Sequence, residues 1–169
     1  ATKGVVTAEL APTSLANLDA LDTASTDYIT ITVNDADGAS LASTDLSTLG
    51  LKTARTVTVT NAVDISGTSS EVTAALVTPE SRVEVSNAKV TISDNLSVLD
   101  FNAIAEKTTG VVTATLAPTS LANLGALINE STNDITITVN DIDDTSLAPT
   151  DLSTLGLKTA GTVTVTNAV

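Results

Sequence analysis

The sequence has no cysteine, histidine, methionine or tryptophan, and only one phenylalanine and one tyrosine. Without cysteine there is no disulfide bond and no thiolate metal site. Without histidine the chain lacks the usual general base of hydrolytic triads and the commonest zinc ligand. Because large aromatic side chains are nearly absent, the core must be built from Val, Ile, Leu and Ala, which suit narrow and regular interiors.

Positive charge is also scarce, since seven Lys and Arg oppose 20 Asp and Glu for a formal net charge of −13. Nucleic-acid binding requires a basic surface, so this partner class is not expected. No run of about 18 apolar residues is present, which argues against membrane insertion. No signal peptide is recognisable and the chain does not begin with Met, so we expect it to be part of a longer protein.

Catalytic signatures are missing as well. No serine lies in a G-x-S-x-G pattern, and the eight glycines are scattered rather than grouped in a phosphate-binding loop. An enzyme would therefore need paired carboxylates, and the acids of this chain stand mainly in turn-like segments. We predict that the protein is not an enzyme and needs no cofactor.

A long internal repeat dominates the sequence. Residues 1–63 align with 107–169 at a shift of 106 positions, with 49 identities in 63. We interpret the chain as one fragment, residues 1–169, that holds a complete long repeat (1–106) and part of a second (107–169). Close tandem copies of this kind indicate duplication within a repeat array.

A shorter period lies inside the long repeat. Stretches that alternate apolar and polar residues, the pattern of half-buried strands, begin at seven places and divide each long repeat into four units. Between them, leucines spaced three or four apart, as in "SLANL" and "DLSTL", fit short helical turns with one apolar face. The alternating stretches begin at Val6, Ile29, Val57, Val83, Val112, Ile135 and Val163.

Units of strand, turn and short helix with a period of about 26 residues are typical of solenoids. We therefore predict an α/β solenoid whose strands form one parallel sheet, with the apolar members of each stretch buried and the intervening Thr and Glu exposed. The alternative is an all-β right-handed β-helix, which would place strands in the "SLANL" and "DLSTL" segments.

Two runs, "SVLDFNAIAEKTTGVVTATL" and "ISGTSSEVTAAL", resemble repeats of very large surface proteins of marine cyanobacteria. Those proteins include the giant cell-surface protein associated with non-flagellar swimming. The pattern L-x-x-I-x-x-x-T-T-G-x-V/I-T of such repeats is carried, loosely spaced, by Leu99 to Thr113. The resemblance implies an extracellular or cell-surface structural role, such as a spacer, a coat or an adhesin, without enzyme activity.

An acidic turn is the candidate metal site. "NDADG" at 34–38 recurs as "NDIDD" at 140–144, so Asp35 and Asp37, and in the second copy Asp141 and Asp143, could offer oxygens to Ca²⁺. Asn, Asp and Gly are equally the residues of a plain turn, and no Glu stands at the EF-hand spacing. We favour the plain turn and keep a calcium-dependent structural module as an alternative.

Two further hypotheses concern surfaces. T-x-T pairs along the strands could form a flat hydroxyl array that binds ice or polysaccharide, although Glu9 and Glu84 interrupt it. The partners we expect are neighbouring repeats of the same array. Because neither terminus reads as a polar cap, we also expect end-to-end self-association between residues 5–10 of one molecule and 162–169 of the next.

Overall fold

Short strands and short helices alternate along the part of the chain that the structure, a computed structural model, describes: residues 4–128, 131–143 and 145–166. The strands are β1 (Thr7–Glu9), β2 (Tyr28–Val33), β3 (Ser40–Ala42), β4 (Val57–Val59), β5 (Asp64–Gly67), β6 (Val83–Val85), β7 (Lys89–Leu96), β8 (Val112–Leu116), β9 (Asp134–Val139) and β10 (Val163–Val165). The helices are α1 (Leu15–Leu18), α2 (Ser43–Gly50), α3 (Ser69–Val72), α4 (Val98–Ala105), α5 (Leu121–Leu124) and α6 (Pro149–Gly156). A π-helical turn (Thr73–Val77) continues α3, and a 3₁₀ turn (Pro79–Ser81) precedes β6.

Every pairing between these strands is parallel, which confirms the α/β class with parallel β-sheet. Paired residues stand 20 to 26 positions apart, as Ile31 with Val57 and Val57 with Val83. An antiparallel sandwich is therefore excluded for the described strands. The chain instead returns to the same side of a sheet after each unit.

The strands form two sheets, whereas the sequence predicted one. The first sheet has the order β1-β2-β4-β6, which matches the predicted neighbours as far as Val83. The second has the order β10-β9-β8-β7-β5-β3, so β8 pairs with β7 and not with β6. The prediction that the strand at Val112 lies beside the strand at Val83 is wrong, because Val112 pairs with Val90.

The second sheet arises because three of the seven units carry a second strand, β3, β5 and β7, that the alternation pattern did not predict. Strands β3 and β5 are three and four residues long, too short for a period-two pattern to stand out. Strand β7 is eight residues long and brings the chain back to β8 after only 22 positions, from Val90 to Val112. That return is shorter than the 26 positions between Val57 and Val83. The first strand of the second long repeat therefore stacks on the second sheet of the first.

The predicted alternation is confirmed in the five inner stretches, where the apolar members are buried except for half-buried Val85, and the Thr and Glu between them are exposed or half-buried. In the two outer stretches Val6 is 38 % exposed, and Ala8, Val163 and Val165 are half-buried. With about 25 cal/mol for each Å² of apolar surface removed from water, this aliphatic packing is the main stabilising contribution. The buried members of the predicted set are Ile29, Ile31, Val57, Val59, Val83, Val112, Ala114, Ile135 and Ile137.

Helices occupy the segments where an all-β fold would need strands. "SLANL" contains α1 and "DLSTL" lies in α2, with Leu15, Leu18, Leu46 and Leu49 buried. The all-β alternative is therefore wrong at these positions. The side chains of Thr68 and Ser97 cap the starts of α3 and α4.

Candidate functional site

The predicted acidic turns lie beside helix starts of the preceding unit. The Asp35 carboxylate accepts the backbone N–H of Leu15, the first residue of α1, at 2.8 Å. In the second copy, Asp141 accepts the N–H of Leu121, the first residue of α5, at 2.9 Å. Each carboxylate thus satisfies a donor that a helix leaves without an internal partner, and its charge suits the positive end of the helix.

The other predicted ligands of each pair have separate surroundings. Asp37 accepts the N–H of Ala62 at 3.0 Å, and Asp143 is exposed in its turn. Asp144 lies outside the described residues. Within the described ranges, no three Asp, Glu, His or Cys side chains are grouped so as to hold a metal ion. The calcium hypothesis stays a prediction, and the structure assigns three of these four carboxylates to backbone N–H groups.

Asp94 extends the capping pattern to a third helix. It stands in β7 and accepts the N–H of Ser69 at the start of α3. Lysines serve the opposite helix ends: the Lys52 ammonium donates to the Asp19 carbonyl at 2.7 Å, just after α1. Lys158 donates to the Leu127 carbonyl at 2.6 Å, just after α5. These contacts agree with the favourable effect of cations at helix C-termini. In α1 and α5, both helix ends are therefore bonded by the next unit.

The sequence did not predict a row of buried polar residues. One such residue precedes each of the strands that begin the second to seventh units: β2, β4, β6, β8, β9 and β10. Its members stand one to four residues before those strands, and each is no more than 8 % exposed. Buried polar groups are nearly always hydrogen-bonded, and these bond mainly across unit boundaries. The recurrence of "KT" at 52, 107 and 158 was the available signal for half of them. The row comprises Asp27, Thr53, Ser81, Thr108, Asn133 and Thr159.

Thr53 illustrates the geometry of the row. Its hydroxyl accepts the N–H of Ile29 at 3.1 Å and lies 2.7 Å from the Ile29 carbonyl as donor. Thr159 repeats this one long repeat later, since it accepts the N–H of Ile135 at 2.9 Å and reaches its carbonyl at the same distance. Each of these two hydroxyls therefore bonds the backbone of one strand to the segment that leads into the neighbouring strand of the sheet.

Asp27 and Asn133 occupy equivalent places, although one is charged and the other is not. Asp27 accepts the N–H of Val6 at 2.9 Å and the N–H of Ala24 at 3.0 Å, and Asn133 accepts the N–H of Val112 at 2.8 Å. The hydrogen bond from Val6, followed by the one from Ala24, holds the pKa of the Asp27 carboxyl below its ordinary value.

The threonine array is divided between the two sheets. On the first sheet Thr32 pairs with Thr58, and Thr58 pairs in turn with Glu84. On the second, Thr115 pairs with Thr136. The seven units therefore do not present one continuous hydroxyl face, and a charged side chain ends the row on the first sheet.

A groove of about 800 Å³ crosses the exposed face of the first sheet and is called here the cationic groove. Tyr28 of β2 lies at one side with 47 % of its surface exposed, and the Arg55 guanidinium carbon is 5.6 Å from its ring centroid. Arg82 and Lys107 also line it, with Glu84 as the acid. Three of the seven basic residues of a strongly acidic chain thus converge on one surface.

Comparison with known proteins gives no relatives: no family model matches the chain, and no curated protein or solved structure is significantly similar to it. Within the described ranges, no helix has the length and apolar character needed to cross a membrane.

Proposed function

We propose that this chain is a structural repeat module, an α/β solenoid segment that acts as a spacer, coat or adhesive element of a large extracellular surface protein. The observation that carries the proposal is the cross-unit capping of short helices. Leu15 and Leu121 at helix starts take their acceptors from 20 residues further along the chain, and Ser69 from 25. A helix of four residues is not stable alone, so each unit depends on its neighbour.

The extracellular location and the absence of enzyme activity rest on the sequence. The resemblance to cyanobacterial surface-protein repeats supports the location, and the lack of histidine and cysteine supports a non-catalytic role. A net charge of −13 keeps a repetitive protein soluble and disfavours adhesion between its copies through nonspecific contacts. Antibodies raised against the chain should label intact cells of the source organism without permeabilisation, and labelling only after permeabilisation would contradict the location.

The scaffold role is tested by measuring how the length of the molecule grows with the number of repeat copies. Chains with one, two and four copies of the 106-residue repeat should show a maximum dimension in small-angle X-ray scattering that grows in proportion to copy number. Quasi-one-dimensional stacking requires that proportionality, whereas compact packing makes the dimension grow far more slowly. A maximum dimension that barely increases from one copy to four would refute the spacer function.

Neighbouring repeats are the proposed partners, and end-to-end self-association is part of that proposal. The register within the chain bears on which edges match. β8, the equivalent of β1, pairs with β7, whereas β4, the equivalent of β10, pairs with β2 and β6. A contact of β1 with β10 would therefore be a new pairing, and residues 167–169 of the expected contact lie outside the described residues. Sedimentation velocity over a concentration series tests it, and a constant sedimentation coefficient would exclude it.

A ligand-binding face for ice or polysaccharide is the second candidate function. The division of the threonines between two sheets disfavours ice, because lattice matching needs one flat array. The observation that favours a saccharide is the cationic groove.

A further inference from the structure

We propose that the cationic groove binds an acidic saccharide, a sugar ring that carries a carboxylate or a sulfate. The site goes beyond a scaffold role and uses none of the cross-unit capping contacts. Its volume of about 800 Å³ lies within the range of about 300–1,000 Å³ that small-ligand clefts occupy.

Positive charge predominates in the lining of the groove. The single ion pair within the described ranges joins Lys89 to Asp64 on the second sheet, at 3.9 Å. Arg55, Arg82 and Lys107 of the groove accordingly have no carboxylate within 4 Å in those ranges, and Glu84 offsets one of their three charges. Basic groups left unpaired on a protein of net charge −13 create a local positive potential that attracts an anion.

The chemistry of the lining specifies a sugar rather than a simple anion. Hydroxyl groups occur around the groove, those of Thr30 and Thr58 on the strand face and that of Thr78 on the neighbouring turn. They can donate to and accept from a polyhydroxylated ring. The Tyr28 ring adds a flat apolar surface with a polar end, and Arg55 beside it can hold a carboxylate or sulfate with two parallel hydrogen bonds.

The second long repeat supplies a natural comparison. At the places equivalent to Tyr28 and Arg55 it has Asp134 and Gly161, two of the 14 differences between the aligned copies. The aromatic ring and the guanidinium are thus absent together from a unit whose strand sequence is otherwise the same. Arg55→Gly and Tyr28→Asp consequently introduce residues that this fold already accommodates at those positions.

Isothermal titration with three probes tests the site: trigalacturonate, which carries carboxylates, neocarratetraose disulfate, which carries sulfates, and neutral maltotriose. We expect binding of at least one acidic probe that weakens as NaCl is raised, and no binding of maltotriose. Binding by one acidic probe and not the other would identify the acid group. Absence of binding by both, or equal binding of maltotriose, would overturn the proposal.

Variants locate the site. Arg55→Gly and, separately, Lys107→Gln should each weaken binding of the acidic probe, the first by about tenfold because it removes a bidentate contact. Lys89→Gln removes one positive charge outside the groove and should leave the affinity within about twofold. Far-UV circular dichroism and the melting temperature show whether each variant is folded. Unchanged affinity in both groove variants would refute the assignment. If the groove variants lose self-association and no saccharide binds, the occupant of the groove is a second copy of the chain, which also refutes the assignment.

Discussion

At the level of single residues, the buried polar row explains why threonines are buried beside an aliphatic core. Thr53 and Thr159 each satisfy the N–H of an isoleucine in the neighbouring strand, where a hydrophobic residue of the same shape would leave it without a partner. Threonines at the other end of the strands bond to the backbone as well: the exposed Thr60 and Thr166, just after β4 and β10, donate to the Val33 and Val139 carbonyls.

Thr53→Val keeps the shape of the side chain and removes the hydroxyl, so the N–H of Ile29 loses its acceptor. We expect the free energy of unfolding in urea to fall by about 1–3 kcal/mol. Thr53→Ser is the matched control: it keeps the hydroxyl and loses one methyl group, for about 1 kcal/mol or less. A valine variant as stable as the serine variant would show that this hydroxyl contributes nothing.

Asp27 gives the protein a specific acid sensitivity. Because the pKa of its carboxyl is lowered in the folded state, its stabilising contribution is present above the unfolded-state pKa of about 3.9 and is lost as the pH falls through the folded-state value. Asp27→Asn, which copies the Asn133 of the second repeat, should therefore lose stability relative to the natural protein at pH 6. The gap should narrow at pH 3.

Urea unfolding at the two pH values measures this difference. Asp22→Asn, an exposed acid nearby, removes the same charge and serves as the control. If the gap between the natural protein and Asp27→Asn stays constant from pH 6 to pH 3, the hydrogen-bonded carboxylate has no such linkage.

At the scale of elements, the helices are the parts that depend most on neighbouring units. Leu46 and Leu49 of α2 are buried, and its last residue, Gly50, lies against the next unit: a Cβ built there would meet the Ser81 carbonyl oxygen at 1.6 Å. At the equivalent Gly156 of α6 a Cβ would meet nothing within 4 Å. Two identical "DLSTLG" segments thus have opposite requirements, because another unit packs on only one of them.

Alanine substitutions at these two glycines give a matched pair of variants. Gly50→Ala should destabilise the protein by about 1–3 kcal/mol or more, because the backbone of Ser81 must move. Gly156→Ala should be neutral or stabilising by up to about 1 kcal/mol, since alanine is the better helix former and space is available. Thermal denaturation of both variants checks this, and equal effects would mean that no unit packs on Gly50.

The acidic turns bind the N-terminal residues of two helices. Since Asp35 and Asp141 already bind backbone N–H groups, we expect no increase in melting temperature at millimolar Ca²⁺ after chelator treatment. Asp35→Ala should lower the stability by about 1 kcal/mol, as the loss of a helix cap does, with or without Ca²⁺. A clear rise in melting temperature with Ca²⁺, abolished in Asp35→Ala, would establish the metal site instead.

The sequence predicted the strands that begin units and the helices between them, because alternation and leucine spacing are local patterns. Strands β3 and β5 were missed, since "SLA" and "DISG" are too short to show a period. The role of Asp35 was not predicted either, because its partner Leu15 lies 20 residues earlier in the chain. The cationic groove was equally invisible, since Tyr28, Arg55 and Lys107 are brought together only by stacking.

In the molecule as a whole, the strands are divided between two sheets. The long repeat does not simply place seven equivalent strands side by side. At the boundary between its two copies the first strand of the second copy, β8, leaves the first sheet and joins the second. We expect the same transfer at each boundary between copies in a longer array, so that the period of such an array would be the long repeat of 106 residues and not the shorter unit.

Cross-linking of introduced cysteines tests the two-sheet arrangement, because the chain has no cysteine of its own. Neighbouring parallel strands lie about 4.8 Å apart, within the Cα separation that a disulfide spans. Thr91 pairs with Thr113, whereas Glu84 and Thr113 lie in different sheets. The positive control is Thr58→Cys with Glu84→Cys, a pair adjacent within the first sheet. After mild oxidation of the folded protein, mass spectrometry should find the intramolecular disulfide in Thr91→Cys/Thr113→Cys and not in Glu84→Cys/Thr113→Cys; the reverse result would contradict the two-sheet arrangement.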